Sequence, residues 1–359
     1  MPRRSIHAPA RAGALALALG LALAGCAASG DGGGSGDAAP TTAAPAAPSG
    51  TSGTSAPPAA VASAGCGTST QGAVTEQERT LTVADQPRRY LLTVPEAHDG
   101  TTPLPVVFDF HGLMEGAEVH AGMSQYSALA AEEGFVAVFP HGTGTPIRWN
   151  ANPLATTNDD LTYFDDVRAQ LAADLCIDES RIYATGLSNG AMFTSILLCQ
   201  RADVLAAAAP VAGITDAEDC DPARPVPIVA YHGTADPILL FNGGVDTSML
   251  GGGDPNAPTT TAPPADLEGE GYPAAVAAFA ARNGCAPEPT DTEVTAEVIH
   301  RVYDCPEGAD VEFFIVLGGG HSWPGSAFSK TIGNIVGPTT FDIDATRDAW
   351  AFMSQFTNA

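Results

Sequence analysis

A serine between two glycines, an aspartate on a tight loop and a histidine behind three glycines are the residues of this chain best suited to chemistry. Gly186-Leu187-Ser188-Asn189-Gly190 follows a β-prone run, 181–185, and precedes a helical stretch, 191–201. A strand that turns abruptly into a helix forces its middle residue into strained backbone angles. Glycines two residues away on each side remove the collisions that side chains would make there. The spacing is that of a nucleophile elbow, with Ser188 Oγ standing at the top of a sheet. The amides that follow open a helix and point at incoming negative charge.

A serine hydroxyl attacks a carbonyl only when a histidine takes its proton and an acid orients that histidine. The run 228–232 leads into His232-Gly233-Thr234-Ala235-Asp236-Pro237, which puts Asp236 on a tight loop at a strand's carboxyl end. The run 311–317 leads into Gly318-Gly319-Gly320-His321-Ser322-Trp323, where glycines let the backbone approach a reacting centre. Ser188, Asp236 and His321 thus occur in the order nucleophile, acid, base that an α/β-hydrolase uses. His111-Gly112-Leu113 follows the strand-like run 105–110 and has the form of an oxyanion-hole loop. Its donors are expected to be the backbone N–H groups of Leu113 and Asn189, so that neither side chain need matter. His232 reads as a packed residue beneath its loop, and His98, His120 and His300 as residues outside the chemistry. Trp149 and Trp323 are the candidate substrate contacts, Trp323 because it follows His321 closely enough to stack on an aromatic acyl group. The chemistry needs no metal and no organic cofactor.

The elements that must position these groups alternate along the chain. Strands are predicted at 89–94, 105–110, 135–139, 181–185, 206–211, 228–232, 298–303 and 311–317. Helices are predicted at 124–133, 161–175, 191–201, 273–283 and 345–356, the second capped by Asn158 or Asp159. The fold class is α/β: a mainly parallel sheet covered by helices on both faces. Residues 242–271 break the rhythm with glycine pairs, a threonine run and Pro263-Pro264. They read as a flexible insertion next to the site, and a lid and a plain solvated loop are both open.

Residues 1–26 stand apart: Arg3, Arg4 and Arg11 lead an apolar run, and Leu23-Ala24-Gly25-Cys26 resembles a lipobox, which makes Cys26 an acylated N-terminus. The alternative is an ordinary signal peptide cut nearby; either way the protein is exported, and its membrane contact is the lipid alone. Residues 27–65 are almost wholly Gly, Ala, Ser, Thr and Pro. Such a segment buries too little to order itself, and it should be a disordered tether of roughly 35 Å root-mean-square reach. The catalytic domain is expected at 66–359. A formal net charge of −26 argues against nucleic acid as a partner, while a charged fraction of only 16% describes a compact acidic globule.

Apart from Cys26 there are six cysteines, an even number in an exported chain, and no C-x-x-C pair or His-Cys cluster to suggest zinc. Helices 161–175 and 191–201 both descend from the carboxyl edge of the sheet, so Cys176 and Cys199 should meet at its bottom. Cys285 ends another descending helix and Cys305 precedes a rising strand, which predicts a second bottom pair. Cys66 then falls to Cys220 by elimination.

Cys66-Gly67, Asp174-Leu175-Cys176-Ile177-Asp178, Gly186 to Gly190, Leu198-Cys199, Asn283-Gly284-Cys285 and Gly319-Gly320-His321 together resemble secreted feruloyl esterases and the related polyhydroxybutyrate depolymerase-type esterases. The resemblance runs from Cys66 to the C-terminus. It implies Ser188 as nucleophile, Asp236 as acid, His321 as base, and carboxylic esters as substrates: ferulate or acetate on plant xylan, or a polyhydroxyalkanoate. The insertion 242–271 departs from the fungal esterases. The other readings are an acyltransferase or peptidase on the same scaffold, and a non-catalytic envelope lipoprotein.

Overall fold

The computed structural model describes residues 59–152, 155, 157–217, 219–246 and 264–358, all within the compact unit Ala56–Ala359. Cys26 with its lipobox, most of the expected tether and the middle of the insertion lie outside the described residues.

The chain opens with a hairpin, β1 (Val74–Val83) and β2 (Gln86–Val94), closed by Ala84 and Asp85 with φ of 47° and 61°. Positive φ at both turn residues is the two-residue geometry that matches strand twist. Then come β3 (Leu104–Phe110), α1 (Ala117–Ser124), α2 (Tyr126–Glu133), β4 (Val136–Pro140), α3 (Asp159–Asp174), β5 (Ile177–Leu187) and α4 (Asn189–Gln200). The second half runs β6 (Leu205–Val211), β7 (Ile228–Gly233), α5 (Tyr272–Arg282), β8 (Thr290–Thr295), β9 (Val298–Val302), β10 (Val311–Val316), α6 (Ala327–Thr331), α7 (Gly333–Val336) and α8 (Ala345–Met353).

The strands form one sheet in the order β1-β2-β4-β3-β5-β6-β7-β10-β9-β8. The six central strands, β4 to β10 in that order, are parallel, and an antiparallel pair closes each edge. β3, β4, β6 and β7 are buried along their whole length, as strands covered on both faces must be. Two apolar layers result. One packs Phe108, Phe164, Val167, Phe193 and Phe279; the other packs Leu129, Phe135, Tyr183, Phe352 and Met353.

Some expectations are corrected. The helix expected at 124–133 is α2, starting at Tyr126, and a helix that was not expected, α1, precedes it and ends where Gln125 takes a left-handed φ of 61°. The domain also begins before Cys66. Val61 N–H donates to Asp178 Oδ1, Glu179 N–H donates to Val61 O, Ser63 N–H donates to Ile177 O, and Ser63 is only 5% exposed. Residues 61–65 are therefore part of the fold, not of a tether.

That docking explains the disulfides. Cys66 is bonded to Cys176 and Cys199 to Cys220, replacing the expected Cys176–Cys199 and Cys66–Cys220 pairs. The segment 61–66 lies along the amino end of β5 and brings Cys66 to Cys176. No helix is found among the described residues between β6 and β7, so that stretch is itself the descending connection. Cys220 lies on the way down, within reach of Cys199 at the end of α4. Cys285 is bonded to Cys305, the pair that the topology argument joins.

Candidate functional site

The carboxyl ends of β5, β7 and β10 lie on one edge of the sheet, and each carries one candidate catalytic group. Ser188 follows β5 with φ 56° and ψ −118°, a strained conformation for a residue with a side chain. What makes it possible is close approach of the elbow to β3: a Cβ on Gly190 would lie 2.0 Å from Phe110 O, and one on Gly186 2.5 Å from the same oxygen. Ser188 N–H donates to Val211 O at 2.9 Å, which ties the elbow to β6. The serine is half-buried.

Because β7 and β10 are parallel neighbours, the loops that leave them are adjacent. His321 Nδ1 donates to Asp236 Oδ2 at 2.7 Å, and His321 is 5% exposed. The backbone N–H groups of Ile238 and Leu239 both donate to Asp236 Oδ1 at 2.8 Å, so the acid cannot rotate. His321 N–H is fixed in turn by Val336 O at 2.6 Å. With Nδ1 protonated, His321 Nε2 keeps a lone pair that can accept a proton.

His232 is more than packing. Its Nε2–H donates to Leu239 O at 2.9 Å and lies 3.3 Å from Asp236 Oδ2, while its ring stacks on Tyr272 with centroids 3.5 Å apart. Burial works against ionised Asp236, but the hydrogen bonds from His232 and His321 outweigh it and hold the carboxyl well below its usual range. The acid therefore stays charged.

The loop His111-Gly112-Leu113, the candidate oxyanion loop, directly follows β3. His111 Nδ1–H donates to Gly112 O at 2.7 Å, and its Nε2 accepts from Gly142 N–H at 2.9 Å. That tautomer is neutral, in keeping with burial lowering the His111 pKa to about 4. Among the described residues, neither Leu113 N–H nor Asn189 N–H has a protein acceptor, so both are free to serve as donors. The Asn189 side chain, expected to be dispensable, spans the backbone of Trp149: its Oδ1 accepts from Trp149 N–H and its Nδ2 donates to Trp149 O.

The two tryptophans are corrected. Trp149 is 2% exposed, donates Nε1–H to His111 O, and packs against Phe110, Phe193 and Tyr163. Trp323 is 1% exposed and donates Nε1–H to Thr346 Oγ1. Neither is available to stack on a substrate; each holds a loop. A cavity of about 430 Å³ instead opens beside the elbow, lined by Met192, Ile214, Asp216, Leu239, Val245 and Tyr272. Met192 N–H donates to Ser188 O, and Asn242 clamps the ends of the insertion through Asp266 and Glu270. Among the described residues no group of His, Cys, Asp and Glu is arranged to hold a metal.

Known proteins bear on this arrangement. The prolyl oligopeptidase family, Peptidase_S9, matches residues 121–237. Feruloyl esterase B of Piromyces equi is 30% identical over 242 residues, 66% of this chain and 42% of that protein. The probable feruloyl esterase C of Aspergillus niger is 30% identical over 163 residues, 44% of this chain and 58% of that protein. The chain thus spans about half the length of these relatives. Among solved structures, acetyl xylan esterase from Aspergillus awamori superposes with a TM-score of 0.51 at 13% identity, covering 77% of this chain and 99% of that one. That likeness speaks for the fold. The chain has the α/β-hydrolase fold and is similar in sequence to feruloyl esterases.

Proposed function

We propose that the protein is an exported serine hydrolase of carboxylic esters. In this reading Ser188 attacks the ester carbonyl, His321 Nε2 takes the serine proton and then passes it to the leaving alcohol, and ionised Asp236 steadies the imidazolium. The Leu113 and Asn189 N–H groups receive the charge that develops on the carbonyl oxygen. Water then hydrolyses the acyl-enzyme by the same route. The observation that carries the reading is the 2.7 Å Asp236–His321 hydrogen bond on the edge where β5 delivers a strained Ser188.

The substrate class we favour is the feruloyl or acetyl ester of plant xylan, supported by the names of the relatives: feruloyl esterases and a bifunctional acetylxylan esterase/xylanase from Neocallimastix patriciarum. The cavity lined by Met192, Leu239 and Tyr272 has room for an acyl group or a sugar. A polyhydroxybutyrate-type polyester is the alternative substrate. Attachment through a lipid on Cys26 belongs to the same proposal. Fluorophosphonate labelling tests the chemistry: a single adduct on Ser188, abolished in Ser188→Ala with ester hydrolysis reduced on the order of 10⁴-fold, is expected. Labelling at another residue refutes the assignment. A panel of methyl ferulate, acetylated xylan and polyhydroxybutyrate then ranks the substrates.

A peptidase is the second reading, favoured by the match of 121–237 to the prolyl oligopeptidase family. Turnover of a proline-containing peptide faster than any ester would establish it.

A further inference from the structure

A buried charged cluster that the triad does not use lies directly behind the oxyanion loop. Gly112 N–H donates to Glu115 Oε2 at 2.6 Å, and His120 Nδ1 donates to Glu115 Oε1 at 3.2 Å. His120 Nε2 donates to Asp109 Oδ1 at 2.7 Å, and the Ser124 hydroxyl donates to Asp109 Oδ2. The side chains of Asp109, Glu115 and His120 are 1%, 9% and 0% exposed. Both ring nitrogens of His120 face carboxylates, so both are donors and the ring is an imidazolium. Burial opposes that charge, yet Asp109 and Glu115 outweigh it and raise the His120 pKa to about 10. Glu115 is held below the usual carboxylate range, its own burial overcome by the charge of His120.

Such a cluster is a poor device for stability, because apolar residues of similar volume would serve as well or better. Its effect on the loop is more specific. Gly112 N–H is taken by Glu115, Met114 N–H by Ile147 O at 2.9 Å, and Glu115 N–H by Gly112 O at 3.3 Å. Of the four amides from Gly112 to Glu115, only that of Leu113 has no protein acceptor among the described residues. We propose that Glu115, held by His120, is the positioning residue of the oxyanion loop: by taking up the Gly112 N–H it turns the Leu113 N–H toward the reacting carbonyl. This rests on the esterase reading given above.

The cluster also reaches the base. Trp323, two residues after His321, meets the His120 ring edge-on with centroids 5.5 Å apart. Its indole N–H donates to Thr346 Oγ1 at 2.9 Å, and the Thr346 hydroxyl donates to Ser124 O. The loop that carries the oxyanion donor and the loop that carries His321 are thus braced on one set of buried groups.

Glu115→Ala, Glu115→Gln and His120→Gln test the inference, with hydrolysis of p-nitrophenyl acetate, inhibition by phenylboronic acid and amide exchange of the 111–115 segment as readouts. Glu115→Ala is expected to lower kcat on the order of 10²-fold while KM stays within about threefold. Affinity for phenylboronic acid, which mimics the tetrahedral intermediate, should fall roughly as kcat does, a parallel that general loosening would not produce. The double variant Glu115→Ala/His120→Gln should be no slower than Glu115→Ala, because the two residues act as one unit. Glu115→Gln, which keeps an oxygen acceptor for the Gly112 N–H, should retain more activity than Glu115→Ala, and a folded Glu115→Ala protein with kcat within about threefold of wild type overturns the inference. Should the wild type hydrolyse no ester, the esterase reading falls by itself. Amide exchange then decides: faster exchange of Gly112 in Glu115→Ala supports the positioning role, and unchanged protection refutes it.

Discussion

The side-chain amide of Asn189 binds the main chain of Trp149 at both ends, accepting from its N–H at 2.7 Å and donating to its carbonyl at 3.2 Å. Next to Ser188, this side chain thereby ties the loop 141–152 to the elbow. Trp149 passes the constraint on through its indole, which donates to His111 O at 2.9 Å. Asn189→Ala should therefore lower kcat about tenfold or more with little change in KM, the pattern of a lost transition-state interaction. Asn189→Asp keeps the acceptor for Trp149 N–H but sets a carboxylate against Trp149 O, and it should fare no better. Steady-state kinetics on one soluble ester checks both.

His232 gives a second prediction. Its Nε2–H serves Leu239 O and Asp236 Oδ2 together, so His232→Phe leaves a buried carbonyl without a donor and weakens the hold on the acid. A hydrogen bond to a charged group contributes about 1.5–3 kcal/mol. The variant should lose stability of that order in urea. Unchanged stability would show that His232 only packs.

His111 sets an acid limit. Burial lowers its pKa to about 4, below the ordinary 6.5 of an unfolded histidine. A depressed folded value means that its contribution is complete above about pH 6.5 and is lost as pH falls toward 4. Protonation also removes the acceptor for Gly142 N–H. Stability in urea should drop by up to about 3 kcal/mol from this group between pH 7 and 4. In His111→Gln the drop over the same range should be smaller by that amount; an unchanged slope would clear His111 of the role.

The Cys66–Cys176 bridge closes a sequence separation of 110 residues and pins the entering chain to β5. The variant Cys66→Ser/Cys176→Ser should lose about 2–5 kcal/mol. It should also expose residues 61–66 to proteolysis before the rest of the domain. Activity of the remaining folded protein should stay near that of wild type, since the bridge lies at the far end of β5 from Ser188.

Much of this was legible in residue order. Strand runs ending in Gly-x-Ser-x-Gly, in His-Gly-Thr-Ala-Asp and in Gly-Gly-Gly-His place three groups on one sheet edge because parallel strands all deliver their loops there. β1 was missed, although the alternation from Arg79 to Val83 and the Ala84-Asp85 turn were its signals; its mostly exposed face hid the pattern. Asp109 was a missed clue of a different kind. A carboxylate inside the otherwise apolar Val106–Phe110 needs a buried partner, and His120 with Ser124 supplies it. The tryptophans and the disulfides were misjudged for one reason: both depend on how loops fold back on the sheet, which local pattern does not encode.

Because residues 61–66 run along the amino end of β5, the described chain enters the domain on the rim opposite Ser188, Asp236 and His321. A cut or a fusion made at residues 59–60 is therefore separated from those three groups by the whole length of β5, 11 residues of mostly buried strand.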